Sequence, residues 1–465
     1  MDETRRLAQF ASELKYEHLT TEVITKTKSL ILDQLGGEMW AATQPWSRMV
    51  YEYVKEMGGR EDSTIVNYGD KTPAENAAFV NSTFGHGFEI DDLDSAGSSH
   101  PGCVIVPATL AIGEKELISG KDFILATVLG YEVMGRIGKA IRPTCIYRGF
   151  HLPGILGTFG AAAVGGKILA FDAERMLNAL SIAGSHSSGL MEYNQTGGTV
   201  KRMHPGIASQ GGLRAAILAE KGLTGPPTIL EGKNGFCNAF SDEPHIEKIT
   251  ANLGKDFMVM GVAYKLHSCC GFIHSALDAV AQMAAQNGIT PGTVKEINVK
   301  APKVAIRMVG AIREPKEVTS AQFSMPFSIG LNLVKGGNNF WDYTKENLTN
   351  PEILTVARKV RMEAEEAFDA EYPPKMLAWV EIKLEHGKSY DLRVDYPKGT
   401  PENPLTNEEL ENKFRSLASK VLPEGQVEEI IKVVDGLEHL SQISTLSNLL
   451  VSHQQSQKVF GNRLS

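Results

Sequence analysis

The sequence is poor in cysteine, and its few cysteines do not suggest a disulfide framework. Of 465 residues only five are cysteines, at positions 103, 145, 237, 269 and 270. A small, odd number of thiols is typical of free cysteines in a reducing compartment, so we expect a cytoplasmic protein. Cys269 and Cys270 are adjacent, and adjacent cysteines seldom form an unstrained disulfide.

Long apolar runs and an excess of positive charge are also missing. The stretch of lowest polarity, 155–170, contains Lys167 and four glycines, which makes it too short and weak for a membrane span. The first ten residues, MDETRRLAQF, have no apolar centre, so we expect no secretory leader. The formal net charge is −8 and the pI is about 5.9. These features argue against a membrane partner and a nucleic-acid partner.

Motifs that hold metals or dinucleotides are absent as well. The cysteine pair has no second pair at zinc spacing, and no His-x-x-x-His pair occurs, so the sequence favours no metal. A divalent cation held by His86, Asp91, Asp92 and His100 is the less favoured alternative. The glycine pairs at 197–198 and 211–212 follow no predicted strand, so they do not form a dinucleotide fingerprint.

The apolar residues of the chain recur with two kinds of spacing, one typical of helices and one typical of strands. A chain of 465 residues usually forms more than one hydrophobic core. Helical spacing predicts helices at 20–39, 122–141, 173–187, 206–221, 320–335, 351–367, 405–422, 425–437 and 443–452. Alternating residues predict a strand at 294–301 and a hairpin of 379–384 with 389–394. We predict a mainly α fold with an α+β part. Both chain ends, 1–268 and 404–465, form a large helical domain, and 269–403 form a smaller inserted α+β lid domain.

The stretch 84–104, FGHGFEIDDLDSAGSSHPGCV, places histidines and carboxylates beside apolar residues. We predict a helix from Pro73 toward Glu89, with Thr72 as its N-cap and Glu75 completing a capping box. Residues 95–99 should form a flexible loop that delivers His100 into a pocket. Burying ionisable groups beside apolar residues costs free energy unless the groups are paired, hydrated or take part in chemistry. The alternative is a capped helix end with solvated acids.

Three further segments, 149–153, 199–204 and 264–274, present imidazole or basic groups at predicted loops or helix breaks. A single histidine at a helix end is more often a structural hydrogen-bonding residue. Together, the four segments indicate a polar cleft that can hold an anion and move protons.

These segments resemble the MmgE/PrpD family. The matching stretches are FGHGFEIDDLDSAGSSHPGCVIVPATLA, YRGFHLPGILGTFGAAAVGGKILAFD, GGTVKRMHPGIASQGGLRAAILAEKGLTGP, YKLHSCCGFIHSALDA and AQFSMPFSI, in the family's order. The resemblance implies an enzyme that acts on a small di- or tricarboxylate without a metal or organic cofactor. It also implies a large helical domain with an α+β lid, usually in a homodimer.

The same resemblance assigns site residues. The catalytic candidates are His100, His151, Asp91 and Asp92, and the substrate-binding candidates are Lys201, His204, Lys265 and Cys270. A histidine has a pKa suited to removing a proton beside a carboxylate. Lysines can stabilise the resulting negative charge, and a neighbouring carboxylate can orient an imidazole.

The sequence departs from family patterns in three places. Glu89 stands where aspartate is common, Cys269-Cys270 where the cis-aconitate decarboxylase members have a histidine, and Phe327 where they have a tyrosine. We therefore expect a lyase first, of the 2-methylcitrate dehydratase type. The alternatives are an epimerase of the iminodisuccinate type, a cis-aconitate decarboxylase, and a non-catalytic carboxylate-binding homologue.

Overall fold

Helices dominate the computed structural model, which describes residues 2–97, 99–372 and 375–452. The first twelve are α1 Glu3–Glu13, α2 Thr21–Ala41, α3 Pro45–Met57, α4 Ala74–Gly85, α5 Gly102–Lys115, α6 Gly120–Ile141, α7 Thr144–Tyr147, α8 Leu152–Ile168, α9 Ala173–Ala183, α10 Tyr193–Thr196, α11 His204–Glu220 and α12 Phe236–Phe240. The later ones are α13 Gly271–Asn287, α14 Lys303–Val309, α15 Val318–Gln322, α16 Met325–Lys335, α17 Lys345–Leu348, α18 Pro351–Arg358, α19 Glu366–Asp369, α20 Asn407–Ala418, α21 Glu424–Asp435 and α22 Ser444–Leu449.

The main sheet has four strands in the order β6-β5-β7-β8. Its strands are β5 Val294–Ala301, β6 Val360–Ala364, β7 Ala378–Leu384 and β8 Ser389–Val394. β5 and β6 run parallel, and the other two pairs are antiparallel. Two short antiparallel pairs join β1 Ser63–Thr64 to β2 Lys71–Thr72, and β3 Leu93–Asp94 to β4 Val262–Ala263.

Two large hydrophobic cores organise these elements. The first lies among the N-terminal helices and also buries side chains of α20, α21 and α22, so both chain ends contribute to it. Gly36 of α2 allows a close approach, because a Cβ there would lie 3.0 Å from the Phe414 ring on α20. The second core lies between the sheet and helices α13, α16 and α18. The predicted mainly α fold with an α+β part is confirmed, whereas the domain boundaries stay a prediction.

Several predicted elements are confirmed. The helix predicted at 122–141 is α6, and it begins with a capping box between Ser119 and Asp122. The strand at 294–301 is β5, and the predicted hairpin is β7 with β8. No helix among the described residues is both long and apolar enough to cross a membrane.

The start and end of α4 were predicted wrongly. Pro73 is the N-cap and no side chain caps this helix, because Thr72 instead pairs with Ser63 in a two-stranded ladder. The helix ends at Gly85, before Glu89, whose φ of 58° is incompatible with a continuing right-handed helix. Residues 86–92 therefore form an irregular segment.

Two other predictions were wrong because contacts distant in sequence decide the structure. The helix predicted at 351–367 ends at Arg358, and the next residues become β6 because they pair with β5. The helix predicted at 320–335 is split, since the Ser324 side chain accepts a hydrogen bond from Phe327 N and starts a new helix. Part of the loop predicted at 95–99 lies outside the described residues, at position 98, but Asp94 and Ser99 are joined by two backbone hydrogen bonds.

Candidate active site

A cavity lies where the two hydrophobic cores meet, and we call it the inner cavity. It encloses about 700 Å³ when the space open to solvent is counted. Four of the predicted site residues lie in its wall, namely His100, His151, Lys201 and Cys270. Most of the remaining wall is apolar, with Leu93, Ile146, Leu152, Pro153, Met191, Phe272, Met308 and Phe323.

Two long helices begin at this wall. Leu152, the first residue of α8, and Gly271, the first residue of α13, both line the inner cavity. The first-turn N–H groups of a helix have no partner within the helix, and the helix dipole is positive at this end. The α5 helix begins two residues after His100. The arrangement favours an anionic ligand.

His100 is held in one tautomer. Its Nδ1 lies 2.5 Å from the backbone oxygen of Asp92, which can only accept, so Nδ1 carries a proton. Nε2 has no partner among the described residues and retains contact with open space. Burial, reinforced by Lys265, lowers the pKa of His100 to about 4, although Asp91 opposes the shift. The neutral ring therefore presents a basic nitrogen to the cavity at neutral pH.

His151 is paired with a second imidazole. Its Nδ1 lies 3.0 Å from Nδ1 of His204, so one of the two nitrogens must donate to the other. Burial lowers the pKa of both rings, that of His204 to about 4. When His204 donates, the neutral His151 carries its own proton on Nε2, which has no protein partner in the described part of the chain. His151 can then act as a proton donor.

Glu89 is the centre of a buried charge cluster in the wall. Its carboxylate accepts hydrogen bonds from Lys201 Nζ, from Arg202 Nη1 at 2.7 Å and from Lys265 Nζ at 3.3 Å. All four side chains are at least 98% buried. Lys265 also lies 3.6 Å from Asp91 Oδ1. Three basic side chains thus share two carboxylates. Burial, reinforced by Arg202 and Lys265, lowers the pKa of Lys201, so an anionic ligand beside it would favour its charged form.

The two adjacent aspartates have different surroundings. Asp91 Oδ2 lies 2.6 Å from His86 Nδ1 and 3.7 Å from His100 Nδ1. Burial alone would raise the pKa of Asp91, but His86 and Lys265 together lower it. Asp91 therefore sits as an anion between two imidazoles and an ammonium group.

The Asp92 carboxylate points away from the histidines. It accepts hydrogen bonds from Tyr131 Oη at 2.7 Å and from Gly102 N at 3.0 Å. Burial raises its pKa to about 7, although the Tyr131 hydrogen bond opposes the shift. Asp92 contacts His100 through its backbone oxygen and not through its carboxylate.

The structure does not place every predicted residue in the wall. The other four lie directly behind the wall, and each contacts a residue that lines the inner cavity. They are Asp91, Asp92, His204 and Lys265. Phe327 belongs to the second core and does not line the inner cavity, so its difference from tyrosine does not alter the wall.

Sequence reasoning missed Arg202 and Tyr193. Arg202 follows Lys201 directly, and that adjacency was an available signal. Tyr193 packs edge-on against His151, with ring centroids 5.2 Å apart, and no sequence pattern indicated it. Both side chains are buried, Arg202 among the charges and Tyr193 in the wall.

One group of buried donors has the composition of a metal site. His86, Asp91 and Cys103 each offer a donor atom within 4.8 Å of the others. His86 is already hydrogen-bonded to Asp91, and burial keeps the Cys103 thiol protonated by raising its pKa. A thiol must lose its proton to bind a metal, so the group does not suit a metal as it stands. The expectation of no metal stays a prediction.

Comparison with known proteins agrees with this architecture. The MmgE/PrpD N-terminal domain matches residues 5–249, and the MmgE/PrpD C-terminal domain matches residues 267–439. The cis-aconitate decarboxylase of Aspergillus terreus is 30% identical, over 96% of this chain and 95% of its own length. The human cis-aconitate decarboxylase is also 30% identical, over 96% and 94%. The mitochondrial 2-methylcitrate dehydratase of Yarrowia lipolytica is 24% identical, over 68% and 63%. The chain belongs to the MmgE/PrpD family.

Proposed function

We propose that this protein is a lyase that acts on a small di- or tricarboxylate by proton transfer next to a carboxylate. One observation carries the proposal: two neutral imidazoles, whose Nε2 atoms have no partner in the described part of the chain, line the same cavity as a buried cluster rich in basic side chains. Imidazoles transfer protons, and fixed cations stabilise the negative charge that develops on a carboxylate-bearing carbon.

The geometry suggests a role for each group. In a dehydration His100 is the base that takes the proton beside the carboxylate, because its own Nδ1 proton is fixed by the Asp92 backbone and its Nε2 lone pair is free. A decarboxylation removes no proton from the substrate, so it does not use this base. His151 is the acid, because His204 can hold it in the tautomer with the proton on Nε2. Lys201 and the helix N-termini of α8 and α13 hold the substrate carboxylates. No step requires a metal or an organic cofactor.

Among lyase reactions we place decarboxylation of cis-aconitate first and dehydration of a 2-methylcitrate-like acid second. This reverses the order expected from the sequence. The decarboxylase relatives match almost the whole chain, whereas the dehydratase relative matches about two thirds of it. Cys270 replaces the expected histidine in the wall, but His151 can still supply the proton that a decarboxylation adds to carbon as CO₂ leaves.

The test is direct. Purified protein is incubated in deuterated water with cis-aconitate, 2-methylcitrate, citrate and iminodisuccinate, and each mixture is followed by proton NMR. Loss of CO₂ from cis-aconitate, with deuterium in the product, supports the first reaction, and loss of water from 2-methylcitrate supports the second. Exchange at the α-carbon of iminodisuccinate alone would indicate an epimerase. Binding of these acids without any turnover or exchange would indicate a non-catalytic homologue and contradict the proposal.

The pKa of His100 can be measured separately from activity. We expect its imidazole to titrate near pH 4 in the folded protein, well below the ordinary histidine value of about 6.5. Between these values the unfolded chain binds the proton and the folded chain does not, so the contribution of His100 to the free energy of unfolding decreases as pH falls. Nitrogen-15 NMR of labelled histidine, assigned with His100→Asn, gives the titration. A midpoint near 6.5 would mean that burial does not lower the pKa of His100 in the folded protein.

Assembly and compartment stay predictions. The resemblance to the family leads us to expect a homodimer, and cysteine usage leads us to expect the cytoplasm. Light scattering coupled to gel filtration of the purified chain measures the first, and imaging of the tagged chain in its own cells measures the second.

A further inference from the structure

A second cavity adjoins the inner cavity, and we call it the outer cavity. It encloses about 1770 Å³ when the space open to solvent is counted. Ser95, Tyr372 and Met376 line both cavities, and Ser95 Oγ lies 3.4 Å from Met376 Sδ. These three side chains therefore form the partition between the two spaces.

The outer cavity is cationic although the chain as a whole is acidic. Lys139, Arg142, Lys248 and Lys303 line it, whereas its carboxylates are Asp369 and Glu402. The Asp369 carboxylate is already engaged, because Oδ1 accepts the backbone N–H of Lys303 at 2.7 Å. The formal net charge of the chain is −8, so the wall of the outer cavity is much more positive than the protein as a whole. A concave wall of one sign focuses the electric field and attracts ions of the other sign.

The three lysines of the outer cavity are not committed to ion pairs with described residues, although Lys139 interacts at longer range with Asp94 and Glu132. Within the described residues, none of Lys139, Lys248 and Lys303 has an ion pair within 4.0 Å. Lys248 and Lys303 are exposed, and Lys139 is half-buried. The inner cluster differs, since Lys201, Arg202 and Lys265 are all paired with Glu89. The long-range attraction for an anion must therefore come mainly from the outer cavity.

Arg142 connects the cationic wall to the partition. Its Nη1 donates to the backbone oxygens of Ser95 and Ala96, at 2.7 and 2.6 Å. Its guanidinium lies 5.6 Å from the centre of the Tyr372 ring. Nη2 has no partner among the described residues and, unlike the buried Nε, keeps contact with open space. Arg142 thus presents an unpaired donor to the outer cavity while fixing one side of the partition.

We propose that the outer cavity is a binding site for the substrate polycarboxylate, occupied before the acid passes the partition into the inner cavity. The inference rests on the proposed function for its choice of ligand. Lys139, Lys248 and Lys303 supply the attraction, and Arg142 supplies a donor beside the partition. The site takes small anions with two or three carboxylates, because its cations are spread around one concave wall.

The test compares two variants that lose the same charge. One carries Lys139→Gln, Lys248→Gln and Lys303→Gln, and the control carries the same change at three exposed lysines outside both cavities, Lys221, Lys233 and Lys388. Calorimetric titration with tricarballylate, a saturated tricarboxylate without a hydroxyl group, gives the dissociation constant at low and high salt. We expect the first variant to bind about 10-fold more weakly than wild type at low salt, with the difference shrinking at high salt. The control should bind as wild type does, and melting curves confirm that both variants fold.

Kinetics separate this inference from the proposed function. On an acid that the protein turns over, the cavity variant should lose kcat/KM by a similar factor while kcat changes less than about 2-fold. If the dissociation constant and kcat/KM of the cavity variant are unchanged, the inference is overturned and the lyase proposal stands. The same conclusion follows if the control variant loses as much affinity as the cavity variant. If no acid is turned over but the cavity variant still binds tricarballylate more weakly, the lyase proposal fails and the binding site stands.

Discussion

Replacing His100 with asparagine should lower kcat for loss of water by about 10²–10⁴-fold, the usual contribution of a positioned general base, and should slow loss of CO₂ much less, because that reaction removes no proton. The asparagine amide can still donate to the Asp92 backbone oxygen, as Nδ1 of His100 does, so the local fold should persist. What disappears is the unpaired basic Nε2 in the inner cavity. Because the cations of the Glu89 cluster are untouched, KM should change much less than kcat. Steady-state kinetics on the acid identified by NMR measure both quantities.

The matched control is His274→Asn. His274 is also a buried imidazole that contacts a backbone oxygen, that of Cys269 at 3.3 Å, but it does not line the inner cavity. We expect kcat in this variant to stay within a few-fold of wild type. A double variant that also carries His151→Asn should be little worse than His100→Asn alone, since residues that act in one proton-transfer unit are strongly non-additive. Equal losses in His100→Asn and His274→Asn, matched by equal losses of melting temperature, would mean that His100 is structural.

The sequence predicted those elements whose signals are local. The α6 helix combines an amphipathic pattern with a capping box, and the β7–β8 hairpin has alternation on both sides of a short turn. The β6 strand was predicted as helix, because Val360–Ala364 becomes a strand only by pairing with β5, which lies about 60 residues earlier. Short apolar runs do not distinguish helix from strand by periodicity alone.

The residue types of the candidate site could be predicted from the sequence, but most of the contacts between those residues could not. His100, His151 and Lys201 each stand at a break in helical periodicity, and the structure brings all three to one wall. The Glu89 cluster was not predicted, because its cations come from positions 112 to 176 residues further along the chain. It also depends on the left-handed backbone of Glu89, which glutamate rarely adopts and which no local pattern indicates.

Replacing Glu89 with glutamine should lower the free energy of unfolding by about 3–5 kcal/mol, the usual cost of removing one partner from a buried ion pair. Lys201, Arg202 and Lys265 would then have Asp91 as their one remaining carboxylate within this cluster. The same change should make the site more receptive to anions, because an internal carboxylate no longer occupies the cations. A bound tricarboxylate stabilises the folded state in proportion to the logarithm of its saturation. Citrate should therefore raise the melting temperature of Glu89→Gln more than that of wild type.

Glu132→Gln provides the control for this effect. Glu132 forms a buried ion pair with Arg136 and accepts the backbone N–H of Met258 at 2.8 Å, but it lines neither cavity. Its loss should also destabilise the fold, yet citrate should raise the melting temperature no more than in wild type, because Arg136, which loses its partner, is buried and lines neither cavity. Differential scanning calorimetry across a citrate series measures all three proteins. If Glu89→Gln is as stable as wild type and responds to citrate no more strongly, Glu89 does not neutralise the cluster, and the cations of the inner cavity must be balanced in another way.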